Sequence, residues 1–290
     1  MTPGRGVLAL RRRDGRHYYE GTMSVSLTWV DAFTDRPFAG NPAGVCLLDE
    51  PMPVSTMQSL AAELGIAETA FVTPSARPGT FDLRWFSPLV EIDLCGHATL
   101  ASAHALRAHH VIDGARPVTF DTRSGALRAA FKGELIELDF PADSMAEAPL
   151  PEALAGQWDA GVVLGAGTTS FFAVVVLRSE MAVRQYRPDL AAIAATGHKA
   201  LLVTAVGDPG SGADYVVRVF GPNVGIDEDP ATGSAQCVAG PYWSAVLGRR
   251  DMVARQLSPR GAVLYVRPDG DRVHIGGNAI TVFTGDLCLG

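Results

Sequence analysis

Apolar and polar residues alternate along Ser26-Leu-Thr-Trp-Val-Asp-Ala-Phe33, and this period of two predicts a half-buried strand. Turn chemistry at Phe38-Ala-Gly-Asn41-Pro leads into a second apolar strand ending at Leu48. Ser55-Thr-Met-Gln58 has the form of a capping box. With Leu60, Ala61 and Leu64 on one face and Gly65 as a stop, it predicts a short amphipathic helix over 56–64. Ile66-Ala-Glu68-Thr-Ala-Phe-Val-Thr73 is a strand pattern holding one carboxylate among apolar and small residues. Ile66 and Ala70 share the strand face of Glu68, so its carboxyl is desolvated and its pKa rises towards the range useful for proton transfer. A strand at 81–86, a turn at Ser87-Pro88, a short extended piece at 91–94 and an Ala-rich helix at 96–107 follow.

The chain then repeats itself. Arg84-Trp-Phe-Ser-Pro-Leu-Val-Glu-Ile-Asp-Leu-Cys95-Gly-His-Ala-Thr-Leu-Ala101 aligns without a gap, at an offset of 134, with Arg218-Val-Phe-Gly-Pro-Asn-Val-Gly-Ile-Asp-Glu-Asp229-Pro-Ala-Thr-Gly-Ser-Ala235. Seven of the eighteen positions are identical, which implies two similar halves rather than a solenoid. At this offset Cys95 corresponds to Asp229. Asp229-Pro230 has the signature of an N-cap followed by proline at the first helical position, so the second helix is expected to begin there. Both helices are lined with Ala, Ser, Thr and Gly, small enough to let a surrounding sheet approach, so each is expected inside a curled sheet. The echo continues in paired strands turning at Gly133 and at Gly270. Pro141 to Pro151 is the linker candidate, and 171–177 and 200–206 are buried-type strands. The expected organisation is an extension at 1–22 that is disordered or precedes an alternative start at Met23, domains at 23–141 and 142–290, and a last strand at about 280–288 crossing back to the first.

Composition narrows the function classes. The 290 residues are 47% hydrophobic and 19% charged, an ordinary globular balance, and the net charge of -7 argues against nucleic acid as the main partner. No apolar run approaches the ~18 residues that span a bilayer. Residues 1–22 are Arg-rich with too little apolar content for a signal peptide. Cys46, Cys95, Cys237 and Cys288 show no metal-type spacing, and free thiols point to a reducing cytoplasm. His104, His109 and His110 fall beyond the first helical turn and are expected at the surface or in packing.

If the halves face each other about a pseudo-two-fold axis, the loops 93–97 and 227–231 meet across a cleft. Each ends at a helix N-terminus that attracts an anion, which suits a small ligand with a carboxylate. The stretches Asp31-Ala-Phe-Thr-Asp-Arg-Pro-Phe-Ala-Gly-Asn-Pro-Ala43, Ala67-Glu68-Thr-Ala-Phe71, Leu94-Cys-Gly-His97-Ala-Thr-Leu-Ala101 and Glu228-Asp229-Pro-Ala-Thr-Gly-Ser-Ala235 closely resemble the PhzF-like phenazine-biosynthesis family, which shares its fold with diaminopimelate epimerase. The resemblance runs in order from Val30 to Leu287. It implies an α+β fold of two pseudo-symmetric domains, each a curled, mostly antiparallel sheet around a central helix, a homodimer, and neither metal nor organic cofactor.

The resemblance also implies roles. Glu68 is similar to the family's proton-shuttling carboxylate, with His97 and Asp229 as its partners around the substrate. Cys95 and the amides near Gly96, Thr232, Gly233 and Ser234 would line the substrate and take its carboxylate. The epimerase relatives use two opposed cysteines. Here a thiol stands only at Cys95, opposite Asp229, and Cys237 lies too far along its helix to replace the second one. The expectation is therefore a cofactor-independent isomerase shifting a proton and double bond in a small unsaturated amino or hydroxy acid, probed against two alternatives: an amino-acid epimerase or racemase, and a non-catalytic binding protein on the same scaffold.

Overall fold

The computed structural model describes the strand pair Leu10–Arg11 and His17–Tyr18 together with residues 23–289; the rest of the expected extension at 1–22 lies outside the described residues. Strands and helices alternate in the same way twice. In the first half, strand Met23–Ala32 pairs with Asn41–Leu47, which runs parallel to Glu68–Pro74. That strand is antiparallel to Thr80–Phe86, which is parallel to Val118–Thr122, and Gly125–Lys132 and Leu135–Pro141 complete the series antiparallel. In the second half, Val163–Thr168, Phe172–Leu177, Ala200–Val206, Tyr215–Gly221, Met252–Gln256, Ala262–Asp269 and Arg272–Gly277 repeat that order and those directions. Leu135–Pro141 and Arg272–Gly277, the last strand of each series, pair with each other. Strand Ala279–Leu289 pairs with Met23–Ala32 and so belongs to the first sheet. The result is the α+β, epimerase-like architecture of two pseudo-symmetric curled sheets.

Five α-helices occur among the described residues: α1 (Val54–Leu64), α2 (Gly96–Ala108), α3 (Glu180–Gln185), α4 (Leu190–Ala195) and α5 (Gly233–Leu247). Helix α2 is wrapped by strands of the first sheet and α5 by strands of the second. Small residues make this possible. A Cβ added at Gly240 would come within 2.8 Å of Val266 and 3.7 Å of Val273, so the sheet closes on bare backbone there. The outer faces carry separate cores: Met57, Leu60 and Ala61 of α1 pack with Phe71 and Phe86, while Val183 and Ile193 of α3 and α4 pack with Val203 and Phe220. The sequence pattern left 178–199 unassigned, because α3 and α4 are too short to show a period.

Two expected helix starts are corrected. Helix α1 begins at Val54 after Pro53, and no side chain caps it. Gln58 instead donates to the Ser87 carbonyl at 2.9 Å, so a tertiary partner takes the amide that a capping box would use. Its stop holds: Gly65 has φ 63°, and its N–H bonds the Ala61 carbonyl. The second central helix begins at Gly233 with Thr232 as its N-cap, not at Asp229-Pro230. Asp229 ends the short strand Ile226–Asp229.

That shift revises the repeat. Arg84 forms a bidentate pair with Glu91, both bonds 2.8 Å, and Arg218 forms the same pair with Glu228 at 2.7 and 2.9 Å. The arginines are 134 apart but their glutamates are 137 apart, as are the two helix starts, Gly96 and Gly233. Three additional residues enter the second half in the turn that contains Pro222–Val224. The structural counterpart of Cys95 is therefore Thr232: both are extended N-cap residues, with φ/ψ of -141°/108° and -110°/102°.

The two arginines differ in setting. Each lies over the phenylalanine two residues on, but the Arg218 side chain is 10% exposed and bonds the carbonyls of Tyr186 and Val183, whereas Arg84 is 34% exposed and its glutamate has a second partner in Arg123. Arg218→Met leaves a partly buried carboxylate and the Tyr186 carbonyl without donors and removes a buried guanidinium, and is expected to cost about 3 kcal/mol. Arg84→Met is expected to cost about 1 kcal/mol or less. Urea unfolding of both variants checks this ordering.

Candidate active site

Helix packing brings the two N-termini into contact. A Cβ placed at Gly96 would lie 3.7 Å from the Cα of Gly233, so the positive ends of α2 and α5 abut with only glycine between them. Glu68 opens strand Glu68–Pro74 beside Ala43, at the end of the sheet nearest this junction, and His97 is the second residue of α2. Glu68 Oε2 lies 3.3 Å from His97 Nε2. The distance suits a hydrogen bond but the alignment does not, and both atoms are buried without a bonded partner. Burial desolvates the Glu68 carboxyl and raises its pKa above the ordinary 4.5; the His97 ring acts the other way, and the negative charge of Asp229 adds to the rise.

Asp229 is held differently. Its Oδ1 accepts from Asn41 Nδ2 at 2.7 Å and its Oδ2 from Thr232 Oγ1 at 2.5 Å. Gln256 fixes the surrounding backbone, donating to the Asp229 carbonyl at 2.6 Å and accepting from the Thr232 N–H at 2.8 Å. The Thr232 amide is thus already used and is not free for a ligand, contrary to the sequence expectation. Gly96, Gly233 and Ser234 are first-turn residues whose N–H groups have no partner among the described residues, and Ser234 is exposed.

Cys95 is buried, with its Sγ 3.5 Å from His97 Nδ1. Burial pushes the thiol pKa well above the usual range, and the charges of Glu68 and Asp229 push it the same way, so it remains a neutral thiol. Glu68, Cys95 and His97 offer O, S and N donor atoms within 4.8 Å of one another, a set that sequence spacing did not show. The two helix N-termini that meet here add positive potential, which favours an anionic ligand over a cation. His104 and His109 lie elsewhere, bonding Thr281 and Thr28 respectively.

Two residues of this cluster were not among the sequence candidates. Asn41 and Gln256 are both fully buried amides in strands, and a buried amide must find partners. That was the available signal. Asn41 is delivered by a loop with two phenylalanines at positive φ, Phe33 at 62° and Phe38 at 68°. Arg260 of the second half clamps this loop, bonding Asp31 Oδ1 and the carbonyls of Ala39 and Gly40.

Residues 30–285 match the family model for phenazine biosynthesis-like proteins, PhzC-PhzF. The chain belongs to that family. An uncharacterised isomerase of Pseudomonas aeruginosa is 42% identical over 92% of this chain and 100% of its own length, and another from Halalkalibacterium halodurans is 39% identical with the same coverage. The human phenazine biosynthesis-like domain-containing protein is 38% identical over 91% of this chain and 99% of its own. A PhzF-family phenazine biosynthesis protein from Enterococcus faecalis superposes with a TM-score of 0.85 at 36% identity, covering 91% and 99% of the two chains. A hydroxyproline epimerase from Agrobacterium vitis shares the fold, with a TM-score of 0.58 at 14% identity over 92% and 93% of the chains. As a member of this PhzF-type family the chain is an isomerase.

The raised pKa of Glu68 has a consequence for stability. Between the unfolded-state value near 4.5 and the higher folded value, the native state binds the extra proton, so stability falls as pH rises through that window. Glu68→Gln removes the cost. Its melting temperature is expected to exceed that of the parent at neutral pH, with the gain vanishing below about pH 4, and calorimetry across pH reads both limits.

Proposed function

We propose that this isomerase moves a proton, and with it a double bond, within a small unsaturated cyclic or dihydroaromatic amino or hydroxy acid, using Glu68 as the shuttle. The observation that carries this assignment is the buried, unpartnered Glu68 carboxyl, its pKa raised by desolvation, beside two abutting helix N-termini. The amides of Gly96, Gly233 and Ser234 receive the substrate carboxylate and stabilise enolate-like charge. The Glu68 carboxylate removes a proton from an activated C–H, leaving a delocalised carbanion. It then returns the proton to another carbon of the same conjugated system, with no oxidant or reductant. His97 and Asp229 hold the substrate's amino or hydroxyl groups and keep Glu68 in register.

Facial asymmetry favours a double-bond shift over racemisation. Glu68, Cys95 and His97 all come from the first half. At the facing N-cap stands Thr232, a poor proton donor or acceptor, and Asp229 is engaged by Asn41 and Thr232. A group that removes and returns a proton on one face moves it between carbons without inverting a centre. We further place the domain division at 23–141 and 142–290, supported by the repeat, and the protein as a homodimer of natural-product metabolism, supported by the family resemblance. The free, buried thiols Cys46, Cys95 and Cys237 suit the cytoplasm.

Turnover in deuterium oxide on dihydroaromatic and cyclic unsaturated amino acids tests the reaction. The expected result is a changed ultraviolet spectrum with retained stereochemistry at existing centres. Exchange of an alpha proton with loss of stereochemistry would indicate an epimerase instead, and neither change would indicate a binding protein. Glu68→Gln is expected to lower kcat by about 10²–10⁴-fold while folding and ligand binding persist; a fully active variant would falsify the shuttle. In the parent, kcat/KM rises with pH along a limb lying above the ordinary carboxylate range.

A further inference from the structure

Asn41 has no exposed surface, and its side-chain nitrogen reaches across the cleft to the second half. It lies 2.7 Å from Asp229 Oδ1, 3.0 Å from the Ala231 carbonyl and 3.2 Å from His97 Nδ1. A backbone carbonyl only accepts, so the amide atom facing Ala231 is the NH₂ group and the orientation of Asn41 is fixed by chemistry. The same NH₂ faces His97 Nδ1. Two hydrogens serve three acceptors here, so Nδ1, the most distant, at best shares one; because an amide nitrogen does not accept, a hydrogen on Nδ1 would still meet no acceptor in Asn41, whereas a bare Nδ1 is tolerated. The other neighbour of Nδ1 is the neutral Cys95 thiol at 3.5 Å, whose S–H can be given to a bare Nδ1 and whose sulfur is only a weak acceptor for an Nδ1 hydrogen. With donors on the Nδ1 side, the single hydrogen of a neutral ring belongs on Nε2, which faces Glu68 Oε2 at 3.3 Å.

We infer that Asn41 is a positioning residue that holds the His97 ring with its proton on Nε2, directed at Glu68, and that it does so while tied to Asp229 and Ala231 of the opposite half. The catalytic consequence rests on the isomerase function proposed above; the ring state itself does not. Asn41 touches none of the reacting atoms and acts through His97. It makes the ring a donor to Glu68 only when the halves are seated against each other, because the atoms that orient its amide belong to the second half. The opposite tautomer, with its proton on Nδ1, would set a nitrogen lone pair against the lone pairs of Glu68. That arrangement disfavours the charged carboxylate and so the form that accepts a proton from substrate. The titratable groups facing His97 are Glu68 and Cys95, with Asp229 reached through Asn41.

The test is ¹⁵N nuclear magnetic resonance of the full chain labelled at histidine, at about pH 8, where imidazole is ordinarily neutral. His97 is assigned by loss of its signals in His97→Gln. The expected result is a ring protonated on Nε2 in the parent and a shift towards the Nδ1-protonated form in Asn41→Ala. With substrate, Asn41→Ala is also expected to lose about tenfold or more in kcat, with the acid limb of its pH–rate profile moved to higher pH. A parent ring protonated on Nδ1, or an unchanged tautomer in a folded Asn41→Ala, overturns the inference. Should Asn41→Ala not fold, the parent spectrum still decides, and Asn41→Ser provides the second variant. Failure of the proposed Glu68 shuttle is separable: it would appear as a fully active Glu68→Gln, whatever the spectrum of His97.

Discussion

Leu135–Pro141 and Arg272–Gly277 are equivalent strands of the two halves, and they hydrogen-bond to each other in antiparallel register, Leu138 opposite Ile275. Antiparallel pairing of equivalent strands is self-complementary, so this one ladder sets the pseudo-two-fold axis. Once the axis is fixed, the helix inside each curled sheet must point its N-terminus at its twin. Two like dipole ends pressed together repel, and in water each would be hydrated. Here they meet over glycine backbone, next to the buried Glu68 and the half-buried Asp229. The strand pairing thus supports a junction that would not form by itself, and an anion is what relieves it.

The cluster at that junction is divided between satisfied and unsatisfied groups. Asp229, Thr232 and Gln256 bond one another, leaving lone pairs on the Asp229 carboxylate for a further donor, while Glu68 and His97 lie close without an aligned bond. A protein selected only for stability would not keep the second pair, since an unpaired buried polar atom costs about 1–3 kcal/mol. Such a cost persists where activity requires it. Two phenylalanines with left-handed backbone in the adjoining loop fit the same pattern of strain held in place by surrounding contacts.

Much of this was legible in the residues. Alternation gave the strands, the Ala-rich periods gave both central helices, and the lone carboxylate in an apolar strand pointed to Glu68. What the pattern missed has physical causes. An ungapped alignment follows the Arg84 and Arg218 strands faithfully but cannot register three residues added in a turn, and so it set Cys95 against Asp229. Asp-Pro at 229–230 looked like a helix start because that dipeptide suits a cap, yet the Asp229 side chain was already committed to Asn41 and Thr232. Asn41 and Gln256 act through contacts 24 to 190 positions away in sequence. No local period reports such distances.

The three added residues also bear on how a duplicated chain acquires chemistry. They leave both helices, both N-caps and both arginine–glutamate pairs in equivalent places. Their effect is confined to lengthening one turn; beyond it the offset is a constant 137, and Asp229 stands where the first half has Ile92, so the second acidic side chain enters the junction by exchange at an equivalent position. A duplicated gene could therefore change its reaction by exchanging one side chain at the seam between its copies, while a lengthened surface turn elsewhere leaves the packed interior of either copy untouched.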